Sequence, residues 1–316
     1  MTRTITVGAA QLGPIQKAED RVSVVNRLLA LMEKAHARGC QLIVFPELAL
    51  TTFFPRYYME DQAEVDEWFE TSIPSDSTQP LFDAAQRYGM GFHLGYAEKI
   101  KEKGITHRYN TAILVEQSGN VVGKYRKIHL PGHAEFDPNR AFQHLEKRYF
   151  EIGNLGFPVW KMFDGLFGMC ICNDRRWPET FRVMGLQGVE MVVLGYNTPT
   201  VNSQSDEAPH VRAFHNLLCM QAGAYQNSTW VIGVAKAGNE DGHELMGGSA
   251  IIAPSGEVAA QCVTLEDELA VADCNLDQCH FGKQTVFDFA RHRRIEHYGL
   301  ITEQTGVVLP DTEHQR

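Results

Sequence analysis

Apolar runs short enough for strands alternate along the chain with longer stretches in which apolar residues recur every three or four positions. Ile5 to Leu12 reads as a buried strand, and from Lys17 to Arg38 the residues Val24, Leu28, Leu31 and Ala35 fall on one helical face. Gly39 suits the end of that helix and Gln41 to Glu47 supplies a second strand, which predicts a βαβ unit. A helix from about Gln79 to Tyr88 and a strand from Met90 to Glu98 repeat the alternation and favour a layered α/β fold. Tyr109 to Glu116 and Asn120 to Leu130 follow as strands joined by the turn Gln117-Ser118-Gly119. Asp164-Gly165 separates strands Pro158 to Phe163 and Leu166 to Cys172, and Pro178 opens a helix to about Gly185. Next come a strand at Glu190 to Tyr196 and a helix at Ala208 to Tyr225. Strands near Thr229 to Ala235, Gly248 to Ile252, Val258 to Thr264 and Leu269 to Cys274 close the pattern. Hairpins mixed with helices predict two sheets covered by helices rather than one parallel sheet.

No internal repeat or compositional linker interrupts the 316 residues, so 1–316 reads as one domain. Residues after about Thr302 are polar and include Pro310, the pattern of a mobile tail or of an arm laid on a neighbouring subunit. Size scaling lets a chain of this length bury roughly three quarters of its extended surface. With 44% apolar and only 22% charged residues, disorder is excluded. The formal charge of -10 gives no electrostatic reason to bind nucleic acid or anionic lipid. No apolar run reaches the ~18 residues of a membrane span and no signal-type leader is visible, so the expectation is a cytoplasmic protein. Cys40, Cys170, Cys172, Cys219, Cys262, Cys274 and Cys279 form an odd set without framework spacing, which argues against disulfides.

Three residues stand at ends of apolar runs where chemistry is possible. Cys172 closes the strand from Leu166 just before Asn173-Asp174-Arg175-Arg176, where arginines and a helix start would favour thiolate; the alternative is a small core residue, which is the reading for Cys170. Glu47 ends the run Leu42-Ile43-Val44-Phe45-Pro46, as a general base or as a turn carboxylate taking backbone donors. Lys127 lies in Lys124-Tyr125-Arg126-Lys127-Ile128-His129-Leu130-Pro131, either as an ammonium that stabilises developing negative charge or as part of a solvated basic face. His129 and His133 are four apart, but Pro131 and Gly132 break any helix that would align them on a metal, so neither a metal nor another cofactor is expected.

Taken together, Phe45-Pro46-Glu47, the segment from Lys124 to Pro131 and the strand ending in Cys172 resemble the three motifs of the nitrilase superfamily, the carbon-nitrogen hydrolases. The similarity runs from Val7-Gly8-Ala9-Ala10-Gln11 through Gly247-Gly248-Ser249 to Glu257. Within that family, Cys172 followed by Asn173-Asp174-Arg175-Arg176-Trp177-Pro178-Glu179 resembles the branch acting on N-carbamoyl-D-amino acids more than true nitrilases. The resemblance implies a four-layer αββα sandwich with two mixed sheets and a Glu-Lys-Cys triad of Glu47, Lys127 and Cys172. It also implies a second glutamate, Glu146, beside the lysine; locally that residue reads as an exposed helix charge.

The expected reaction is hydrolysis of an N-carbamoyl-D-amino acid to the D-amino acid, ammonia and carbon dioxide through a thioester. Arg175 and Arg176 match the substrate carboxylate as two-point donors, unless they pair with Asp174 or Glu179. Asn173 offers a backbone N–H near the oxyanion, Asn197 and Thr198 end a strand at the same rim, and His129 and His144 are expected to orient the site. The rivals are β-ureidopropionase, aliphatic amidase or nitrilase activity on the same scaffold, or a non-catalytic ligand binder. A homodimer or homotetramer follows from the resemblance.

Overall fold

The computed structural model describes residues 2–140, 142–201 and 207–309. Two six-stranded sheets lie face to face. The first runs in the order β14-β1-β2-β3-β4-β5, from β1 (Thr4–Gln11), β2 (Leu42–Val44), β3 (Gly91–Glu102), β4 (Ile105–Val115), β5 (Val121–Arg126) and β14 (Glu268–Asn275). The second runs β13-β12-β9-β8-β7-β6, from β6 (Val159–Met162), β7 (Gly165–Ile171), β8 (Met191–Tyr196), β9 (Trp230–Ala235), β12 (Ala250–Ile252) and β13 (Val258–Gln261). Both are mixed: β1, β2 and β3 pair in parallel, as do β7, β8 and β9, while the outer strands pair antiparallel. Between β9 and β12, a hairpin of β10 (Ala237–Glu240) and β11 (His243–Met246) stands apart from both sheets.

Period-two alternation divides the first sheet between two cores. Leu42 and Val44 of β2, with Ala112 and Leu114 of β4, point into the core between the sheets. Ile43, Phe45, Ile113 and Val115 point the other way, onto Val24, Leu28 and Leu31 of α1 (Arg21–Ala37) and Leu81 and Phe82 of α3 (Gln79–Tyr88). A short α2 (Gln62–Asp66) lies between those helices in sequence, and a one-turn α4 (Glu146–Tyr149) precedes β6. On the far side, Phe181 and Met184 of α5 (Pro178–Leu186) and Met220 and Ala224 of α6 (Pro209–Asn227) cover the second sheet. The layers are therefore helix, sheet, sheet, helix. Short helices α7 (Gln278–Gln284), α8 (Phe289–His292) and α9 (Gly299–Glu303) finish the described chain, and Pro310, in the expected tail, lies outside the described residues.

Several boundaries differ from the expected ones for identifiable reasons. The first helix begins at Arg21 rather than Lys17, because the Asp20 carboxylate accepts the Ser23 N–H at 2.7 Å and caps it there. β2 stops at Val44 instead of reaching Glu47, since Pro46 has no N–H and Leu48 turns the chain at φ 46°. Strands β3 and β4 extend beyond Glu98 and Tyr109 as a charged two-stranded arm closed by Lys103 and Gly104, both at positive φ. The β10–β11 hairpin was not anticipated.

Candidate active site

Strands β2 and β5 of the first sheet and β7 and β8 of the second end at one edge of the sandwich, and the segments leaving them meet. The backbone at Glu47 is wedged between the sheets. A Cβ on Gly195 of β8 would stand 2.1 Å from the Glu47 nitrogen, and one on Gly95 of β3 would stand 2.7 Å from the Pro46 oxygen, so both positions require glycine for close approach. The fully buried Glu47 carboxylate has no local partners. Its Oε1 accepts from Asn110 Nδ2 at 2.8 Å and from Lys127 Nζ at 2.7 Å, while Oε2 accepts the Asn197 N–H at 3.0 Å. The Asn197 amide also donates to the Glu47 carbonyl at 2.9 Å.

Lys127 follows the end of β5 and keeps the ladder, donating its N–H to the Asn110 carbonyl at 2.8 Å. It is no part of a solvated face: its side chain has no exposure, and Arg126 beside it is buried against Glu98 at 2.8 Å. Nζ donates to Glu47 and, at 2.6 Å, to Glu146 Oε2, which leaves one N–H of the ammonium without a partner among the described residues. Burial alone would lower the lysine pKa, but Cys172 when ionised, Glu146 and Glu47 outweigh it and push it well above the ordinary range. Glu146 is likewise buried rather than an exposed helix charge. Burial raises its carboxyl pKa, yet Lys127 and the hydrogen-bonded His144 bring it below its ordinary value, and His144 Nε2 lies 3.1 Å from Glu146 Oε1.

Cys172 is the first residue of a tight turn, Cys172–Arg176, and takes a left-handed φ of 49°, which lifts it out of the strand ladder at Ile171. Asp174 pins that turn. Its Oδ2 accepts the Ile171 N–H at 3.0 Å and the Tyr125 hydroxyl at 2.8 Å, and its Oδ1 accepts the His129 N–H at 2.9 Å. Asn173 Nδ2 donates to the His129 carbonyl at 3.1 Å. Arg175 is buried beneath, with Nη2 on Asn216 Oδ1 at 2.7 Å and Thr198 Oγ1 at 3.0 Å, Nη1 on the Cys172 carbonyl at 2.5 Å, and its guanidinium 4.3 Å from the Tyr196 ring centre. The expected preference for thiolate is reversed. Burial, followed by the charge of Glu47, pushes the Cys172 thiol up to about 11 against the opposing pull of Lys127 and Arg175, so the resting sulfur carries its proton.

Above Cys172 opens a cavity of about 230 Å³ whose walls include His144, Asn173, Arg175, Arg176, Asn197 and Thr198. Of the residues expected from sequence, Glu47, Lys127, Glu146 and Cys172 are brought together beneath it. His129 stands to one side, its ring stacked on Trp177 with centres 5.0 Å apart and Nδ1 2.8 Å from Asp174 Oδ1. Neither arginine pairs with Asp174 or Glu179. Arg175 is committed to the groups already named, whereas Arg176 is exposed and makes no hydrogen bond or ion pair among the described residues. Asn110, Asn216 and Arg212 were not foreseen; an asparagine inside the apolar run Tyr109-Asn110-Thr111-Ala112-Ile113 was the available signal, because a buried amide needs a partner. All seven cysteines are free thiols. Among the described residues no cluster of His, Cys, Asp and Glu could hold a metal ion, and no helix is long and apolar enough to cross a membrane.

Known proteins share this architecture. Residues 6–284 match the carbon-nitrogen hydrolase family model. A nitrilase from Pyrococcus abyssi is 30% identical over 93% of this chain and 99% of its own, and an N-carbamoylputrescine amidase from Arabidopsis thaliana is 27% identical over 96% and 97%. Among solved structures, the carbon-nitrogen hydrolase of Helicobacter pylori superposes with a TM-score of 0.81 at 22% identity, covering 96% of this chain and 99% of that one. An amidase from Nesterenkonia, with an acetamide moiety bound covalently to its active-site cysteine, gives 0.69 at 20% identity over 92% and 94%. The chain belongs to the carbon-nitrogen hydrolase family, enzymes acting on amide-type bonds.

Proposed function

We propose that the protein hydrolyses N-carbamoyl-D-amino acids, with Cys172 as nucleophile, Glu47 as general acid and base, Lys127 as the cation facing the oxyanion and Glu146 as the group that positions Lys127. The observation that carries the substrate class is Arg176: a residue whose guanidinium has no hydrogen-bond or ion-pair partner among the described residues, on the wall of the cavity that ends at Cys172. A ureido acid carries its carboxylate a few bonds from the reacting carbon, and a free guanidinium fork matches it. Named relatives act on ureido compounds, among them the Arabidopsis N-carbamoylputrescine amidase and β-ureidopropionase. Preference for the D enantiomer rests on the stretch Cys172 to Glu179. The whole of 1–316 acts as one catalytic unit in this reading.

Cys172 Sγ attacks the ureido carbonyl while its proton passes to Glu47. The C–S bond forms, and the tetrahedral oxyanion meets the uncommitted N–H of Lys127 and a backbone N–H near Asn173. Glu47 returns the proton to the terminal nitrogen, the C–N bond breaks and ammonia leaves. Glu47 then takes a proton from water, whose oxygen attacks the thioester carbonyl. Glu47 returns that proton to Cys172 Sγ as the C–S bond breaks, which restores the thiol, and the released carbamate loses carbon dioxide to give the free amino acid. Arg175, held by Asn216 and Thr198, supports the Cys172 carbonyl, so carboxylate recognition falls to Arg176.

The test is enantiomer-resolved hydrolysis of several N-carbamoyl amino acids beside a carboxylate-free ureido amine, a simple amide and a nitrile, scored by ammonia release. Arg176→Gln is expected to raise KM for ureido acids on the order of 10-fold to 100-fold, the worth of a charge-assisted hydrogen bond, and to leave the carboxylate-free compound unaffected. Equal hydrolysis of the carboxylate-free compound by the unaltered protein would refute the assignment. The homodimer or homotetramer implied by the resemblance is supported by exposed apolar residues on α5 and α6, namely Val183, Leu186, Phe214, Leu218 and Tyr225.

A further inference from the structure

A second group of buried charges lies outside the catalytic cluster. Glu240, at the end of β10, has no exposure and collects five donors. Its Oε1 accepts the Phe53 N–H at 2.7 Å, Arg56 Nη2 at 3.0 Å and Thr52 Oγ1 at 3.1 Å; its Oε2 accepts the Ile15 N–H and Lys236 Nζ, both at 3.0 Å. The Glu240 carbonyl accepts Arg56 Nη1 at 2.7 Å, and Lys236 Nζ also donates to the Thr51 carbonyl at 2.8 Å. Two cations against one carboxylate give this cluster a net positive charge in the core. Lys236 senses Glu47, and burial holds the Lys236 ammonium below its ordinary value. Buried ion groups of this kind are commonly no more stabilising than apolar residues of the same volume. What they add here is a fixed geometry.

The segment they hold, Thr51 to Arg56, is the continuation of the chain from Glu47, and it also reaches Glu146. The Leu145 N–H donates to the Pro55 carbonyl at 2.8 Å, immediately before Glu146. Tyr149 of α4 donates its hydroxyl to the Tyr57 carbonyl at 2.8 Å and accepts the Met59 N–H at 2.9 Å. The Phe53 ring meets His144 edge-on with centres 5.5 Å apart, and His144 lies against Glu146. One segment therefore leads to each carboxylate that grips Lys127. Through β11 the same hairpin also reaches the cavity wall, since the Met246 N–H donates to the Thr198 carbonyl at 2.9 Å.

We infer that Glu240, with Lys236 and Arg56, is a positioning residue: it clamps segment 51–56 and so sets the spacing of Glu47 and Glu146 across Lys127. The inference rests on the catalytic reading of Glu47, Lys127 and Cys172 given above. Nothing in the cluster touches substrate, and its effect is on kcat rather than on binding.

Glu240→Gln keeps the shape and removes the charge. In the full-length variant, folded by circular dichroism, kcat on an N-carbamoyl-D-amino acid should fall on the order of 10-fold to 100-fold with KM nearly unchanged, as for a small displacement of reacting groups. The pH profile of Cys172 alkylation by iodoacetamide, read by peptide mass spectrometry, should shift as well. A folded variant with wild-type kcat and an unchanged alkylation profile would overturn the inference. The alkylation readout does not depend on the substrate: a shifted profile in a protein that hydrolyses no ureido acid would sink the substrate reading and uphold the positioning role. Should Glu240→Gln not fold, Lys236→Met leaves a neutral Arg56–Glu240 pair; a several-fold loss of kcat at constant KM supports the inference, and wild-type kcat refutes it.

Discussion

Cys172 combines two features that pull in different directions. Its left-handed backbone, a conformation that costs a non-glycine residue on the order of 1–3 kcal/mol, presents the side chain to the cavity floor. Its burial keeps the thiol protonated, with a pKa near 11. In the proposed reaction a protonated sulfur needs a proton acceptor, and the Glu47 carboxylate proposed for that duty is fixed by donors 63, 80 and 150 residues away. Cys172→Ala should therefore abolish ammonia release while calorimetry still detects ureido-acid binding; measurable turnover by that variant would remove the sulfur from the reaction. The burial-driven shift was beyond sequence reasoning, because neighbouring arginines are visible in the chain order and desolvation is not. Arg175 is a like case: its commitment to Asn216, 41 residues on, is a tertiary contact that chain order does not show.

Among the elements, β8 bears the closest constraint. Gly195 lets the Glu47 backbone pass within reach of the second sheet, and any side chain there meets the Glu47 nitrogen and the Pro46 carbonyl carbon. Gly195→Ala is expected to cost at least the ~1–3 kcal/mol of core overpacking and to depress kcat, read together as a lowered Tm and slower ammonia release. A variant with native Tm and rate would mean that the strand yields without cost. Most elements were legible in the sequence because alternation and turn chemistry are local: Leu42 and Val44 part from Ile43 and Phe45, and Asp164-Gly165 marks its hairpin. The β10–β11 hairpin had an equally local signal in Asp241-Gly242, whose positive φ values of 50° and 84° match a tight primed turn. It escaped notice because Ala237 to Glu240 lacks the branched and aromatic residues that usually mark a strand. Which strand ends would share an edge, and hence the gathering of Glu47, Lys127, Glu146 and Cys172, followed from family resemblance and not from spacing.

Over the whole molecule, the free thiols make alkaline pH a global stress. Burial, the leading cause at each, raises Cys40, Cys172 and Cys262 from 9.0 to about 11 and Cys279 to about 12. In the unfolded chain these thiols ionise at their ordinary value, while the folded chain still holds their protons. The stability they contribute is complete below about pH 9 and drains away as pH climbs from 9 to about 11, or to about 12 for Cys279, by up to about 1.4 kcal/mol per unit for each thiol. Urea midpoints under reducing conditions should stay nearly level from pH 7 to 8 and decline from pH 9 through 10 to 11; a flat series across pH 9 to 11 would contradict it. The sandwich itself carries a different consequence. Glu47 and Lys127 hang from one sheet and Cys172 from the other, so in the proposed reaction the packing between the two slabs would set how the proton partners face each other. Leu114 and Val193, buried in the core that spans the two sheets, would then serve as shims, and a methyl group gained or lost there is expected to alter rate as well as firmness of the fold.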